Sequence, residues 1–317
     1  MKVEAPVEEL HILTPNELSF RLRVRRSRLT EIISGIDNYY DPFTSQGKPA
    51  PFARNPLAPK ARQIDNPSGE LKRVQRAVCG LLGPIVFPAN ICGGIPKRSL
   101  LDNLNLHLGQ RVLVTLDIRS FFPSVRVEQV YGVWRHFLGC SDSVSTMLTS
   151  LTTYKGYLPQ GAPSSPLVAN LLVWSIDRPL REAADHLGVS YSTWIDDLAF
   201  SGDKAREMID PAFALLTKHG FRVSRKKLRI MGTNQRKVLN GSVLGSAAPR
   251  MTKQAISRVR AAIHNLACGR VPQRDREAYI QSVLGKLGHI GFINSRQVVP
   301  LKRKLAAAAP QTILHAG

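Results

Sequence analysis

The chain has 317 residues, of which 44 are Lys or Arg and 23 are Asp or Glu, giving a formal net charge of +21 at pH 7. Because 43% of the residues are hydrophobic, the chain can bury a large core, which excludes disorder of the whole protein. No apolar run approaches the roughly 20 residues of a membrane helix, and residues 1–10 lack a signal-peptide pattern, so we expect no membrane partner.

The cysteines give no sign of a metal cluster or a disulfide framework, because the four of them are widely scattered along the chain: Cys79, Cys92, Cys140 and Cys268. A reducing cytoplasmic location fits this usage. The length predicts about two domains, or one body with an appendage.

Positive charge is concentrated in two parts of the sequence. Residues 221–317 contain 19 Lys and Arg but only two acids, Asp275 and Glu277, and a second group of arginines lies between Arg21 and Arg28. Charge of one sign destabilises a compact fold by self-repulsion, so this asymmetry predicts a polyanionic partner. A generic solubilising surface, or a codon bias toward arginine, is the alternative explanation.

The first third of the chain alternates helix signals with turns. Residues 1–48 open with a helical stretch and the arginine group and then reach a turn-rich segment that includes Asp41–Pro42. Residues 62–64 predict a short strand, and residues 67–69 a turn. A helix then begins near Glu70 and places four apolar residues on one face: Leu71, Val74, Val78 and Leu81.

The middle of the chain predicts a sheet covered by helices. Residues 112–118 (VLVTLDI) are typical of a central strand, and residues 167–174 of a buried helix. An amphipathic helix begins at Val127 and stops at Gly139. Residues 191–193 and 198–201 predict a hairpin, followed by a helix with Asp210 as its N-cap. This order predicts an α+β body on an antiparallel sheet.

The basic C-terminal part predicts a helix that begins after Thr252. Its inward residues are apolar, namely Ile256, Val259, Ile263 and Leu266, and its outward residues are basic, namely Lys253, Arg258 and Arg260.

Three carboxylates stand where strands end. Asp117 ends the central strand, and Asp196 and Asp197 lie at the tip of the hairpin 79 residues later. Either feature alone is commonly a solvated turn. Together, on neighbouring strands of a basic protein, they predict a site for two Mg²⁺ ions, to which the carbonyl oxygen of Ile118 can add a ligand. The absence of His-rich or thiolate ligation argues against zinc or iron.

These residues lie within motifs that resemble those of reverse transcriptases. Residues 116–124 (LDIRSFFPS) resemble the first catalytic motif, residues 158–166 (LPQGAPSSP) the Gln-Gly-x-x-x-Ser-Pro motif, and residues 194–197 (WIDD) the Tyr-x-Asp-Asp motif. Residues 219–227 resemble the Gly-Phe…Lys-Lys element, and residues 62–76 the fingers motif. The five blocks occur in the family's order and span residues 60–241. The compact length and residues 103–107 (NLNLH) resemble the retron branch, whose signature is Asn-Ala-x-x-His.

Three positions depart from the pattern. Leu104 replaces the alanine of the retron signature, residues 236–241 (RKVLNG) do not preserve a Val-Thr-Gly triplet, and Trp194 replaces the tyrosine before the aspartates.

The resemblance implies a right-hand polymerase fold, with fingers and palm on an antiparallel sheet and a small, basic, mainly helical thumb. The implied division is an N-terminal extension (1–48), catalytic fingers and palm (49–235) and an RNA-binding thumb (236–317).

The resemblance implies a role for each site residue. Asp117 and Asp196 would hold the two Mg²⁺ ions, and Asp197 would be a third ligand or orient the pair. Lys227, or alternatively Lys226, would protonate the leaving pyrophosphate, although a plain phosphate contact is equally compatible.

The dNTP would be held by residues from three motifs. Arg62 and Lys60 would neutralise the triphosphate, unless they are solvated cations. Gln160 and Gly161 would line the pocket. Phe122 would exclude a ribose 2′-hydroxyl, the alternative being an ordinary core aromatic.

RNA contacts are implied at the retron signature and in the thumb. The candidates are Asn103, His107, Arg236, Lys237, Lys253, Arg258 and Arg260.

The implied function is RNA-templated DNA synthesis on a structured non-coding RNA, yielding an RNA–DNA hybrid, in phage defence with a separate effector protein. A non-retron bacterial reverse transcriptase and a catalytically silent RNA-binding module are the alternatives.

Overall fold

The computed structural model of the protein describes residues 10–45 and 61–309, and the predicted site residue Lys60 lies outside them. The α-helices of these residues are α1 (Pro15–Leu22), α2 (Arg26–Ser34), α3 (Gly69–Leu82), α4 (Leu100–Asn105), α5 (Phe121–Ser124), α6 (Val127–Gly132), α7 (Asp142–Thr152), α8 (Ser165–Ile176), α9 (Arg178–Leu187), α10 (Ile209–Lys218), α11 (Lys253–Ala267), α12 (Arg276–Ile293) and α13 (Ser295–Ala308). The strands are β1 (Tyr40–Ser45), β2 (Arg62–Pro67), β3 (Leu113–Asp117), β4 (Ser190–Trp194), β5 (Asp197–Ser201), β6 (Arg229–Met231), β7 (Val238–Leu239), β8 (Ser242–Val243) and β9 (Arg250–Met251).

The palm is a four-stranded antiparallel sheet with the strand order β4-β5-β3-β6. The apolar run predicted as a central strand is β3, which has β5 on one side and β6 on the other. The predicted hairpin is β4–β5, and the predicted buried helix is α8, most of whose residues are buried. The expected α+β fold with an antiparallel sheet is therefore confirmed.

The N-terminal helices belong to the same hydrophobic core as the fingers and palm. Thr14 caps α1 by accepting a hydrogen bond from the backbone N–H of Glu17 (3.2 Å), and Pro15 follows at the first helical position. α1 buries Leu18, and α2 buries Leu29. The described part of the predicted N-terminal extension is thus packed against the catalytic body.

The turn predicted at Asp41–Pro42 is wrong, because both residues lie in β1. This strand pairs antiparallel with β2, and Pro42 is opposite Asp65. The pair forms a two-stranded sheet, and no other described strand pairs with the outer edge of β1. A proline is tolerated there because its missing N–H faces away from the ladder.

One helix boundary also differs from the prediction, and a second helix contains an unexpected π-helical turn. The first turn of α10 contains Asp210, while Met208 occupies the N-cap position after a 3₁₀ turn. The acidic side chain still interacts favourably with the positive end of the helix dipole. After α6 the chain forms a π-helical turn, Val133–Phe137. The helix still stops at Gly139 as predicted, because Leu138 is its C-cap and Gly139 follows with a left-handed φ of +69°. The π-helical turn buries Trp134 completely.

A second hydrophobic core lies in the basic C-terminal part. It is formed by α11, α12 and α13 with the small sheet β7–β8–β9, and it also includes Leu104 of α4, Leu113 of β3 and Ala199 of β5. Thr252 caps α11 through the backbone N–H of Ala255 (3.1 Å), and the four predicted inward residues of this helix are buried. Within the described ranges, no helix combines the length and hydrophobicity that crossing a bilayer requires.

Candidate active site

The structure brings the three predicted carboxylates together at one end of the palm sheet. Asp117 is the last residue of β3, and the antiparallel register places it directly opposite Asp197, the first residue of β5. Asp196 occupies the two-residue turn that joins β4 to β5. Carboxylates in directly opposed positions repel each other, so this register costs stability unless a cation lies nearby.

The hairpin tip adopts an unfavourable backbone conformation that its neighbours maintain. Ile195 has φ = +59°, a left-handed value that is rare for a β-branched residue. The N–H of Ile118 donates to the carbonyl of Asp196 (2.9 Å), and the N–H of Thr193 donates to that of Asn90 (2.7 Å). A Cβ on Gly93 would lie 2.8 Å from the backbone nitrogen of Ile195, so only glycine fits here.

The electrostatics of the site reflect this crowding. Burial raises the pKa of Asp196, and the charge of Asp117 adds to the effect. Burial, followed by the charges of Asp196 and Asp117, raises the pKa of Asp197 to about 7. Lys227 opposes both shifts, and its Nζ lies 2.5 Å from Oδ1 of the buried Asp117. The site therefore has an excess of negative charge that a single ammonium group only partly balances.

The chemistry of these donors fits divalent metal ions. Hard cations such as Mg²⁺ take oxygen ligands and retain positions for water and phosphate oxygens, and carboxylates that raise each other's pKa are stabilised by a bound cation. In the described part of the chain, no three or more side chains of His, Cys, Asp or Glu lie close enough together to bind a metal ion without moving. Lys227 occupies one oxygen of Asp117, and its side chain is 61% exposed and so can move away.

Three of the predicted nucleotide-binding residues, Arg62, Gln160 and Gly161, lie on or against β2. The N–H of Asp65 in β2 donates to the carbonyl of Gln160 (2.8 Å), and Gly161 packs on the same strand with φ = +127°, where a Cβ would lie 2.8 Å from Ile64. Arg62, at the start of this strand, lowers the pKa of Asp196 by its charge. The strand from the fingers, the glycine turn and the hairpin tip thus border one region.

The adjacent residues Phe121 and Phe122 differ in the burial of their side chains. Phe121 is buried and contacts Phe221, with ring centroids 5.7 Å apart, whereas Phe122 is only partly buried. Phe122 is thus the more accessible ring of the pair, and it also packs against the first core, with its ring centroid 5.8 Å from that of Phe121.

The predicted RNA-binding residues of the thumb lie at the surface to different degrees. Arg236, Lys253 and Arg260 are exposed. Lys237 and Arg258 are partly buried, and Nζ of Lys237 donates to the carbonyl of Thr233 (3.1 Å).

A comparison with known proteins assigns the chain. The family model described as "Reverse transcriptase (RNA-dependent DNA polymerase)" matches residues 48–245, well over half of the sequence. The chain belongs to the reverse transcriptase family. It is therefore an RNA-directed DNA polymerase with a polymerase-like fold, a family that generally uses divalent metal ions.

Curated relatives of this reverse transcriptase come from bacterial retrons. It is 29% identical to the Retron Ec86 reverse transcriptase of Escherichia coli over 285 residues, covering 89% of this chain and 85% of that protein. It is 32% identical to the Retron Mx162 reverse transcriptase of Myxococcus xanthus, covering 69% of this chain and about half (53%) of that protein. The expected resemblance to retron reverse transcriptases is confirmed.

A solved structure shows a much weaker similarity. The telomerase from Candida albicans, in complex with a TWJ fragment of telomeric RNA, matches with a TM-score of 0.48 and 8% identity over 90% of this chain and 64% of that one. This likeness is too weak to identify a substrate.

The retron-like pair Asn103 and His107 lies inside the reverse transcriptase, which corrects the prediction that these side chains contact RNA directly. Both are about 1% exposed. Nε2 of His107 lies 2.7 Å from Oγ of Ser192, and Nδ1 lies 2.7 Å from Oγ of Ser201. The hydroxyl of Ser192 donates to Oδ1 of Asn103 (2.6 Å). Buried polar groups need such partners, so the pair ties α4 to the strands that carry the aspartates.

Sequence reasoning missed the residues that support the hairpin. Gly93, Asn90, Ser192 and Ser201 belong to none of the motifs that carry the resemblance, although each contacts the turn or its two strands. The Gly93–Gly94 pair was the available signal, because consecutive glycines commonly mark a close approach of backbone.

The buried imidazole of His107 predicts a specific loss of stability in acid. Burial lowers the pKa of His107 from about 6.5 to about 4. Between these values the unfolded chain binds a proton that the folded chain does not, so the free energy of unfolding falls as the pH drops from 6.5 to 4, by about 3 kcal/mol. Chemical denaturation at a series of pH values measures this contribution.

The matched variants are His107→Gln and His186→Gln, since His186 is exposed on α9. His107→Gln should be less stable at pH 7 but lose less stability over this interval, while His186→Gln should follow the wild type. Equal pH dependence in His107→Gln and the wild type would contradict the assignment.

Proposed function

We propose that this protein is a retron-type reverse transcriptase that copies part of a structured non-coding RNA into single-stranded DNA. Synthesis would start from a 2′-hydroxyl of the RNA and produce an RNA–DNA hybrid. The observation that carries the proposal is the meeting of Asp117, Asp196 and Asp197 beside Lys227. The similarity to retron reverse transcriptases over most of the chain supports the choice of RNA.

In this proposal Asp117 and Asp196 hold two Mg²⁺ ions, with Asp197 and the carbonyl of Ile118 as further ligands. Two such ions stabilise the attacking and the leaving oxygen atoms of an in-line phosphoryl transfer. The register of β3 and β5 places Asp117 opposite Asp197 before any ligand arrives, so loading of the site would require movement of side chains, including Lys227, rather than a change of strand pairing.

The remaining residues position the nucleotide. Arg62 lies close enough to influence Asp196 and would balance the charge of the triphosphate. Gln160 and Gly161 would line the sugar side of the pocket, where the missing Cβ allows close approach. Phe122 would exclude a ribose 2′-hydroxyl. Lys60 is a further candidate for the phosphates that lies outside the described residues.

Lys227 would act in two positions. In the free protein it neutralises Asp117, and on loading of the site the exposed side chain would move to the phosphates. There it would protonate or electrostatically stabilise the leaving pyrophosphate. Its neighbour Lys226 is also exposed and makes no ion pair with a described residue, which makes it a natural control.

The carboxylate role predicts the effect of single amide substitutions. Asp117→Asn and Asp196→Asn should lower dNTP incorporation on a primed RNA template with Mg²⁺ by at least about 100-fold, because the metal-binding charge is lost. Asp185→Asn, which changes an exposed acid on α9, should retain wild-type activity. Full activity in Asp117→Asn would refute the site, and no incorporation by the wild type would favour a silent RNA-binding module.

The position of Lys227 predicts opposite effects on turnover and on metal dependence. Lys227→Gln should lower turnover about 10-fold or more. Because a competing cation is removed from Asp117, the Mg²⁺ concentration that gives half-maximal activity should fall several-fold. Steady-state incorporation in a Mg²⁺ titration measures both, with Lys226→Gln expected to match the wild type. A turnover defect confined to Lys226→Gln would transfer the role to Lys226.

The retron assignment predicts the nucleic acid that accompanies the protein. Protein purified from its native host should carry a structured RNA joined by a 2′,5′ linkage to single-stranded DNA, and sequencing of the bound nucleic acid with and without a debranching treatment would detect it. A random mixture of cellular RNA without attached DNA would reduce the proposal to a non-retron reverse transcriptase. We further propose that the protein acts in phage defence together with a separate effector protein. The same purification from the native host would then recover that effector protein.

A further inference from the structure

A groove lined by arginines lies on the N-terminal helices, outside the candidate active site. Two adjoining cavities, of about 500 and 510 Å³, share Arg23, Val24 and Arg25. We call their combined surface the arginine groove. Its other lining residues come from α1, α2 and α3 and include Ser19, Phe20, Arg28, Glu31 and Glu70.

Both acidic side chains that line the groove are paired with Arg28. Arg28 donates from Nε to Glu70 (2.9 Å) and lies 2.5 Å from Glu31 through Nη1. By contrast, Arg23 and Arg25 are exposed and make no ion pair with any described residue. The groove thus offers positive charge without an internal partner, which suits phosphate groups.

An aromatic ring stands beside these arginines. Phe20 lies on the opposite side of α1 from the buried Leu18 and Leu22, and it is 83% exposed. The backbone that carries the ring is held in place, because the N–H of Arg23 donates to the carbonyl of Phe20 (3.1 Å) and the hydroxyl of Ser19 donates to that of Val24 (2.6 Å). Water is a poor environment for such a ring, and an exposed aromatic side chain among cations is the arrangement on which unpaired bases stack.

Arg23 is also an unexpected residue for its backbone. It ends α1 with φ = +55°, the left-handed conformation in which glycine is strongly preferred. Stability alone would favour glycine here, so the side chain is present despite a conformational cost.

We propose that the arginine groove is a second RNA-binding surface, which takes a single-stranded segment by stacking a base on Phe20 and binding phosphates through Arg23 and Arg25. Paired RNA presents rows of phosphates and hides its base faces, so a lone exposed ring favours a single strand over a duplex. The proposed function contributes only the choice of RNA as the polyanion.

The test uses the full chain and an unstructured 12-nucleotide RNA that contains 4-thiouridine. Photocrosslinking followed by peptide mapping should place a crosslink within residues 19–25, and fluorescence anisotropy should give the affinity. Phe20→Ser should weaken binding roughly 5- to 100-fold, the range measured for loss of one stacked base. Arg23→Gly should weaken binding while the thermal stability stays equal or rises, so unfolding cannot explain the loss.

Neighbouring arginines provide the matched control. Arg25→Gln should lower the slope of log affinity against log salt by about 0.7, the value for one phosphate contact on a single strand. Arg26→Gln makes the same charge change one residue away, but Arg26 does not line the groove and should behave as the wild type.

Three outcomes would overturn the proposal. They are the absence of any crosslink within residues 19–25 together with unchanged affinities, equal losses for Arg25→Gln and Arg26→Gln, and variants that lose binding to anionic phosphatidylserine vesicles while their RNA affinity is unchanged. Because the readouts are binding and crosslinking, a protein that fails to incorporate dNTPs but crosslinks at the groove would refute only the proposed polymerase function. A protein that polymerises without such a crosslink would refute only the groove.

Discussion

The functional part of this protein depends on the register between two antiparallel strands. Because β3 pairs with β5 so that Asp117 faces Asp197, two carboxylates are held opposite each other, and the turn adds Asp196. Burial and mutual repulsion raise the pKa values of both hairpin aspartates, so the arrangement is unfavourable without positive charge. A shift of one residue would turn the side chain of Asp117 to the other face of the sheet and remove the site.

The rest of the fold holds this unfavourable turn in place. Gly93 allows the backbone of a neighbouring segment to approach Ile195, whose positive φ would otherwise relax. Behind the turn, His107 links two serines on β4 and β5 through hydrogen bonds that burial makes costly to break. Strain at a functional position persists only where the surroundings determine it in this way.

Positive charge is likewise distributed over several distinct parts of the fold. Lys227 balances the palm carboxylates, and Arg62 approaches them from the fingers strand. The exposed cations of the thumb lie on elements of the second hydrophobic core, which reaches the palm sheet through Leu113 and Ala199. The arginine groove adds positive charge on helices that pack into the first core. Since the described N-terminal helices share the core of the palm, the groove is anchored to the catalytic body.

Several strands and helices could be predicted from the local pattern of residues in the sequence. The run of β-branched residues predicted β3, the buried helix α8 followed from its hydrophobicity, and Thr252 with its apolar spacing predicted α11. Motif order identified the family and drew attention to the carboxylates. The strand conformation of Asp41 and Pro42 could not be predicted in this way, because it depends on pairing with β2. The burial of Asn103 and His107 could not be predicted either, because their hydrogen-bond partners are serines some 90 residues away. A local sequence pattern does not indicate which side chains will be in contact across such a distance.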